Sequence, residues 1–293
     1  MKGYNMNNYV ILTDSGTDFT NQMQDELGVE LLDLSVTLEG QEPRPNSELD
    51  LPALYAFLRE KKSASTAAVN LDAFIEKMTP YLEDGKDILY LGFSSGLSST
   101  FASGKLAAEE LSEKYPDRKI YAVDTLCASL GQGLLVYHAA KLKESGADIE
   151  AVRDFVESNK LSLCHWFTID DLFFLKRGGR VSATTAVVGT MLGIKPVMHV
   201  DDEGKLINVG KARGRRAAID ALFDKANETM IGDRSEHIVF ISHGDCADDA
   251  QYLADRIKNE IGVKEVVIGY VGAVIGSHSG PGTLALFFLG SQR

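Results

Sequence analysis

The first half of this chain alternates short apolar runs with stretches of helical character. The β-rich runs cover residues 9–13, 29–36, 87–93 and 119–124. Between them, residues 70–82 show the helical repeat of apolar side chains, and Asp50 is placed to cap a helix that extends to Lys61. The polar segment at 63–69 is predicted to be a loop. Such alternation predicts a parallel sheet covered by helices on both faces, with ligand-binding loops at the carboxyl ends of the strands. Asp14, the serine-rich segment at 94–98 and Asp124 are all expected along that one edge.

The second half has a different pattern. Strand-like runs occupy residues 165–169, 194–200 and 206–210, and the last two are joined by an Asp-Asp-Glu-Gly turn that indicates a hairpin. A basic helix is predicted from Arg213 to about Met230. The fold class is therefore α/β with two domains: an N-terminal parallel α/β/α sheet domain at 1–161, and a C-terminal two-layer α+β domain with a mixed or antiparallel sheet at 162–293. In an alternative arrangement, the final strand of the chain returns to the first domain.

The charge of the chain is unevenly distributed. The net charge of −12 argues against a general nucleic-acid binder. Residues 175–216 nevertheless contain nine Lys or Arg and three Asp or Glu, a local net of +6. This asymmetry favours a face that meets an anionic ligand or partner, and the alternative is a basic surface helix.

Cysteine and hydropathy patterns point to a cytoplasmic protein. The three cysteines are far apart in the sequence, and the six histidines lack metal-site spacing. This favours a reducing compartment, with neither a disulfide framework nor a zinc site, and we expect no cofactor. Neither a signal peptide nor an apolar stretch of membrane-spanning length is recognisable, so no stable membrane insertion is expected.

Four polar loops follow apolar segments, at residues 13–16, 93–100, 174–181 and 276–282. Three of them are rich in hydroxyls and backbone N–H groups, and the last also contains His278. The loop at 174–181 is cationic, with Arg177 and Arg180 on either side of a Gly-Gly bend, and arginine suits carboxylate or phosphate. The loops together favour a protein that binds an oxygen-rich head group and presents it to an acidic or phosphorylated partner.

The serine-rich loop allows three interpretations. Residues 92–96 read G-x-S-x-G between a strand and a helix, and Asp245 and His278 follow in the order of an α/β hydrolase, with Ser94 as nucleophile. The loop continues with further hydroxyls, which suit an anion cradle at the start of the helix at 101–114 better than nucleophilic attack. The third interpretation is N-capping alone, by Ser98 or Ser99.

The order of these motifs resembles that of the DegV family of bacterial fatty-acid-binding proteins, over nearly the whole chain. The matching segments are D-S at 14–15, S-G-L-S-S-T at 95–100, D-T at 124–125, and the runs at 170–182, 189–196 and 276–282. The resemblance implies two α/β domains with an acyl chain buried between or within them. It also implies a fatty acid carboxylate that is offered to a separate ATP-dependent fatty acid kinase, which makes an acyl phosphate.

The resemblance also implies roles for particular residues. Thr66 matches the threonine of the family's T-S-Q-P loop and Ser98 the serine of its L-S-G-T loop; both are expected to bind the carboxylate, with Ser95 and His278 nearby. Arg180 is expected to face the kinase, and Arg213 is a weaker second candidate. The sequence departs from the family pattern at two places, with T-A-A-V at 66–69 and Ser99 in place of the loop glycine.

The resulting prediction is a non-catalytic lipid-binding carrier whose partners are a long-chain fatty acid and a fatty acid kinase. One alternative is a serine esterase or lipase that uses Ser94 and His278. Another is a binding protein for a different amphiphilic anion, without a kinase partner. These alternatives differ in whether Ser94 reacts and in whether a fatty acid accompanies the purified protein.

Overall fold

Two large β-sheets organise the chain in the computed structural model, which describes residues 8–181, 193–291 and 293. The strands are β1 (Tyr9–Asp14), β2 (Glu30–Leu32), β3 (Ser35–Leu38), β4 (Arg44–Pro45), β5 (Ala64–Ala67), β6 (Asp87–Gly92), β7 (Ile120–Asp124), β8 (Leu163–Thr168), β9 (Ile194–Val200), β10 (Leu206–Arg213), β11 (Ile238–His243), β12 (Glu265–Tyr270) and β13 (Leu284–Leu289). The α-helices are α1 (Asn21–Leu27), α2 (Leu51–Arg59), α3 (Leu71–Glu83), α4 (Thr100–Lys114), α5 (Leu130–Glu144), α6 (Ile149–Asn159), α7 (Phe173–Arg177), α8 (Arg215–Thr229), α9 (Ala247–Arg256) and α10 (Ala273–Ser279). Residues 1–7, Ser182 and residues 189–192, which the sequence analysis used, lie outside the described residues.

The first sheet confirms the expected parallel arrangement. Within the described residues it contains four strands in the order β2–β1–β6–β7, and all of its pairings are parallel. The strands β1 and β6 are buried along their whole length, as expected for a sheet covered on both faces. Asp50 accepts a hydrogen bond from the N–H of Ala53 and so caps α2, as predicted.

Two local predictions for the first half are wrong. The single strand predicted at 29–36 is divided, because the backbone N–H of Leu34 turns to donate to Ser15 Oγ at 2.9 Å. β2 joins the first sheet, whereas β3 pairs with β4 and β5 in a small antiparallel sheet. The polar segment at 63–69, predicted to be a loop, forms β5, since pairing with β3 satisfies its backbone groups while its outer side chains remain in water.

The second sheet is mixed, as the C-terminal pattern predicted. Among the described residues its strand order is β10–β9–β8–β13–β11–β12, and β11–β12 is its parallel pair. The predicted hairpin is confirmed by the antiparallel pairing of β9 with β10. The final strand, β13, lies between β8 and β11, so its alternative place in the first domain is wrong. Helices α8 and α9 cover one face of this sheet.

Helix α5 connects the two sheets. It is buried on several sides, and Leu134, Leu135 and Val136 are fully inaccessible to solvent. One continuous core includes these side chains together with Ile11 of β1 and Phe287 of β13. The helix therefore holds the carboxyl-end loops of the first sheet against the second sheet. Among the described residues, none of the helices combines the length and the apolar composition that a membrane span requires.

Candidate ligand-binding site

A cavity lies between the carboxyl edge of the first sheet and the second sheet. It encloses about 1000 Å³ of space free of protein atoms, part of which is open to solvent. Apolar side chains form most of its wall, among them Phe93, Phe167, Leu175, Val200, Leu206 and Val274. Small-molecule sites typically combine such walls with a few placed polar groups. The polar groups of this cavity are described in turn below.

Thr66 and His278 meet in the cavity wall. Thr66 lies on β5, where its register partner is Val36 of β3, and His278 lies in the last turn of α10. Thr66 Oγ1 and His278 Nε2 are 2.8 Å apart and share a hydrogen bond. The contact is possible because α10 packs against both β3 and β5. Two sequence-predicted carboxylate ligands are therefore adjacent in space.

Ser98 lies in the same cavity wall, at the start of α4. Its Oγ accepts from the N–H of Thr100 at 3.2 Å and lies 2.9 Å from Thr100 Oγ1. Thr100 Oγ1 in turn accepts from the N–H of Val69, in the loop that follows Thr66. Ser99 makes no side-chain capping bond. The capping interpretation thus applies to Ser98, which bonds the helix backbone and still lines the cavity.

The charge state of His278 is set by its surroundings. Burial, together with the positive charges of Arg180 and Arg177, lowers the pKa of His278 to about 4. At neutral pH the ring is therefore uncharged and offers one N–H donor and one acceptor nitrogen. Its Nδ1 lies against Gly178, where an added Cβ would overlap it. The first glycine of the Gly-Gly bend thus makes room for the imidazole.

Arg180 lines the cavity beside His278. Its Nε donates to the carbonyl of Leu97 at 3.2 Å, and a terminal N–H donates to the carbonyl of Gly178. The side chain is half-buried, and desolvation lowers the pKa of its guanidinium. Arg180 was expected to face the kinase; the structure places its side chain in the cavity wall, near His278.

The structure does not bring Ser95 and Arg213 to the cavity. Ser95 is exposed, and its backbone N–H donates to Asp124 at 3.2 Å. Arg213 is exposed at the end of the edge strand β10. The surrounding basic segment is partly neutralised, because Lys195 pairs with Asp170 at 2.7 Å and Arg215 Nε pairs with Asp249 at 2.8 Å.

Two carboxylates at the sheet edge organise the serine loop. Asp14 Oδ2 accepts from the hydroxyl of Tyr90 at 2.7 Å and from the N–H of Phe93 at 2.9 Å. Asp14 is fully buried, and burial raises its pKa. Asp124 binds the loop at its other side, through Ser95. The predicted alignment of both acids and the loop along one edge is confirmed, and both acids act by fixing the loop backbone.

Further polar residues in the cavity wall could not be recognised from the sequence. They are Ser129, Ser242 and Thr283, which line the cavity together with Ser279 of the loop at 276–282. Ser242 lies within the apolar strand β11, and Ser129 precedes the apolar helix α5. Neither belongs to a motif, and only the packing of α5 against the second sheet brings them together. Among the described residues, no group of three or more His, Cys, Asp or Glu side chains is placed to hold a metal ion.

The hydrolase constellation is not assembled in this structure. Ser94 is fully buried, and its Oγ donates to the carbonyl of Gly204 at 2.8 Å. Asp245 pairs with Arg59, and the Nε2 of His278 is bonded to Thr66. The bond to Gly204 instead fixes the turn of the β9–β10 hairpin against the serine loop.

Comparison with known proteins identifies the family. The family model described as "Uncharacterised protein, DegV family" matches residues 8–291. A DegV domain-containing protein of Clostridium perfringens is 46% identical over 290 residues, which cover 98% of this chain and 99% of that protein. A solved structure on fatty acid binding by a DegV family protein from Thermus thermophilus has a TM-score of 0.87 at 30% identity, over 97% of this chain and 99% of that one. A DegV lipid-binding protein from Thermotoga maritima has a TM-score of 0.83 at 28% identity, with the same coverage. This chain therefore belongs to the DegV family, as its motifs indicated.

Proposed function

We propose that this protein binds a long-chain fatty acid, with the acyl chain in the cavity and the carboxylate at Thr66, Ser98 and His278. The observation that carries the proposal is the composition of the cavity wall, which is mainly apolar but places these three side chains in one region. Similar DegV structures are described as fatty-acid-binding or lipid-binding. An amphiphile with one anionic end matches such a wall.

The positions of the hydroxyl and imidazole protons determine which groups can donate hydrogen bonds to the carboxylate. If neutral His278 donates through Nε2 to Thr66 Oγ1, the hydroxyl proton of Thr66 is available to the carboxylate. The hydroxyl of Ser98 supplies a second donor by turning from Thr100. The guanidinium of Arg180 adds a positive charge at short range, where burial strengthens its attraction for an anion. Hydroxyl donors and one arginine thus hold the carboxylate without transferring a proton to it.

We further propose that the bound acid is presented to a fatty acid kinase, which forms the acyl phosphate. A carrier for this reaction needs no nucleophile of its own, and Ser94 is bonded elsewhere. Arg180 supports the proposal, because a kinase that phosphorylates the carboxylate must approach the region that this arginine lines. Arg213, exposed on β10, is proposed as a second contact. The protein would act in the cytoplasm, where ATP is available and its cysteines, which form no disulfide, stay reduced.

Native mass spectrometry of protein purified from cells tests the binding proposal. We expect an added mass equal to that of one long-chain fatty acid, which organic extraction removes. A matched preparation of the Thr66→Val variant should carry less of the acid. Protein without any bound acid that also fails to take up added acid would overturn the proposal. Covalent labelling of Ser94 by a fluorophosphonate probe would favour the esterase instead.

A further inference from the structure

A second polar group lies in the cavity wall, separate from the residues proposed to hold the carboxylate. Ser129 and Ser242 line the cavity, and their hydroxyl oxygens are 3.0 Å apart. Behind them, the hydroxyl of Ser129 donates to Asp18 Oδ2. Ser129, Ser242 and Asp18 are all buried. Two buried hydroxyls, with a buried aspartate behind them, are an unusual feature in the wall of a cavity that holds only hydrocarbon.

The direction of these hydrogen bonds leaves Ser242 with unused acceptor capacity. When Asp18 is ionised, Ser129 gives its one hydroxyl proton to the Asp18 carboxylate. The bond between the serines must then be donated by Ser242. Ser242 Oγ accepts no hydrogen bond from any described residue, so its lone pairs are available to a donor inside the cavity. A methylene group cannot supply that donor, whereas a hydroxyl group can.

The backbone at Ser129 supports a special role for its side chain. Ser129 has φ 56° and ψ −151°, a conformation that residues other than glycine rarely adopt. The neighbouring N–H of Ala128 is anchored by a hydrogen bond to His165 Nε2 of 3.2 Å. The fold therefore fixes Ser129 in a strained conformation that directs its hydroxyl between Asp18 and Ser242. Strain of this kind is concentrated at functional sites.

The position of the cluster relative to the head-group site follows from α10. The other oxygen of Asp18, Oδ1, lies against Gly272 at the start of this helix, and His278 lies in its last turn. His278 is six positions further along the chain than Gly272, which corresponds to a helical rise of about 9 Å. A ligand whose carboxylate is at His278 would thus pass the serine pair several carbons along its chain.

We propose that Ser129 and Ser242 form a second subsite, which binds a hydroxyl group carried in the middle of the acyl chain. The ligand class that fits is a hydroxylated long-chain fatty acid. Its hydroxyl would donate to Ser242 Oγ and so extend the chain of hydrogen bonds that ends at Asp18. This inference rests on the proposed function, since it assumes that the carboxylate is held near His278.

Calorimetric titration with octadecanoic acid and its positional mono-hydroxy isomers tests the inference. In the wild-type protein, one mid-chain isomer should bind at least as tightly as octadecanoic acid. The other isomers should bind roughly tenfold more weakly, because their hydroxyl is buried without a partner. The ratio to follow is the affinity for the favoured isomer divided by the affinity for octadecanoic acid. In the Ser242→Ala variant this ratio should be about fivefold lower, or more, than in the wild type. Ser95→Ala, which changes an exposed serine, is the matched control and should leave the ratio unchanged.

The outcomes separate this inference from the proposed function. If all hydroxy isomers bind more weakly than octadecanoic acid by similar factors, the subsite does not exist although the fatty acid site does. The same conclusion holds if the ratio is unchanged in Ser242→Ala. If neither octadecanoic acid nor any isomer binds, the proposed function fails and the inference fails with it. The isomer series in the wild-type protein decides between these outcomes even if Ser242→Ala does not fold.

Discussion

Thr66 and His278 are 212 residues apart in the chain and share a hydrogen bond of 2.8 Å in the wall of the cavity. Thr66 comes from a small antiparallel sheet in the N-terminal half, and His278 comes from a short helix near the C-terminus. The contact exists only when both halves are folded together. The proposed head-group site is therefore a product of the tertiary structure as a whole.

Replacing the hydroxyl of Thr66 should weaken fatty acid binding without unfolding the protein. Thr66→Val preserves the β-branched shape that suits β5 but removes the donor to the carboxylate. Loss of one hydrogen bond to a charged group should cost about 1.5–3 kcal/mol of binding free energy. Calorimetry with hexadecanoic acid measures this loss, and Ser95→Ala is the control. Equal affinities for Thr66→Val and the wild type would remove Thr66 from the site.

The two glycines of the Gly-Gly bend should respond differently to substitution. Gly178 has φ −74°, which alanine adopts readily, but the new methyl group would displace His278. Gly179 has φ +70° and open space around it, so alanine there strains the backbone without touching the ring. We expect Gly178→Ala to lower the affinity for fatty acid. Gly179→Ala should mainly lower the melting temperature and leave the affinity nearly unchanged. Calorimetry and thermal unfolding of both variants decide this, and the reverse pattern would contradict the assigned packing.

His278 should titrate near pH 4 in the ligand-free protein, well below the usual 6.5 of histidine. The unfolded chain binds this proton at a higher pH than the folded one does. The contribution of His278 to stability is thus full above about pH 6.5 and is lost as the pH falls towards 4. NMR titration of the ring, assigned by comparison with His278→Gln, measures the pKa. A midpoint above 6 would show that the ring is solvated or charged.

The protonation of Asp18 should change the stability of the protein with pH in the opposite direction to that of His278. Burial raises the pKa of Asp18 to about 7, whereas an unfolded aspartate titrates near 4. The folded state holds the proton of Asp18 more strongly than the unfolded state does. The contribution of Asp18 to the free energy of unfolding therefore decreases as the pH rises from about 4 to 7. Asp18→Asn should make the unfolding free energy depend less on pH across that range. Urea denaturation at several pH values measures the difference, and parallel curves for the two proteins would refute the shift.

Arg180 should contribute to both binding and phosphorylation, because it lies in the cavity wall beside the proposed head-group site. Arg180→Ala is expected to reduce fatty acid affinity, and to reduce acyl-phosphate formation by a purified kinase even when the carrier is saturated. Arg213→Ala, at the exposed end of β10, should change phosphorylation only, and more at low salt than at high salt. Unaltered rates for both variants at low salt would leave the basic segment without a role in docking.

The sequence predicted the architecture better than it predicted contacts. Alternating apolar runs indicated the parallel sheet, and the Asp-Asp-Glu-Gly turn indicated the β9–β10 hairpin, because both are local patterns. The break between β2 and β3 was not recognisable, since it depends on a bond from Leu34 to the distant Ser15. β5 was missed for the same reason: its strand character comes from pairing with β3.

In the candidate site, too, residues with a local sequence signal were predicted and residues that depend on tertiary contacts were not. Motif resemblance selected Thr66, Ser98 and His278, and the structure places all three in one cavity. The same resemblance placed Ser95 near the carboxylate, yet Ser95 is exposed and lies outside the cavity wall. Ser129 and Ser242 had no local signal, because their pairing arises where α5 meets the second sheet. Residues that function through tertiary contacts need the fold before they can be identified.

A crystal structure of the protein with a long-chain fatty acid would locate the carboxylate and the acyl chain directly. We expect the carboxylate oxygens to lie within hydrogen-bond distance of Thr66 Oγ1 and Ser98 Oγ, beside His278, and the acyl chain to fill the cavity between the sheets. An acid bound outside this cavity, or one whose carboxylate lies at Ser129 and Ser242 with its methyl end at His278, would contradict this expectation.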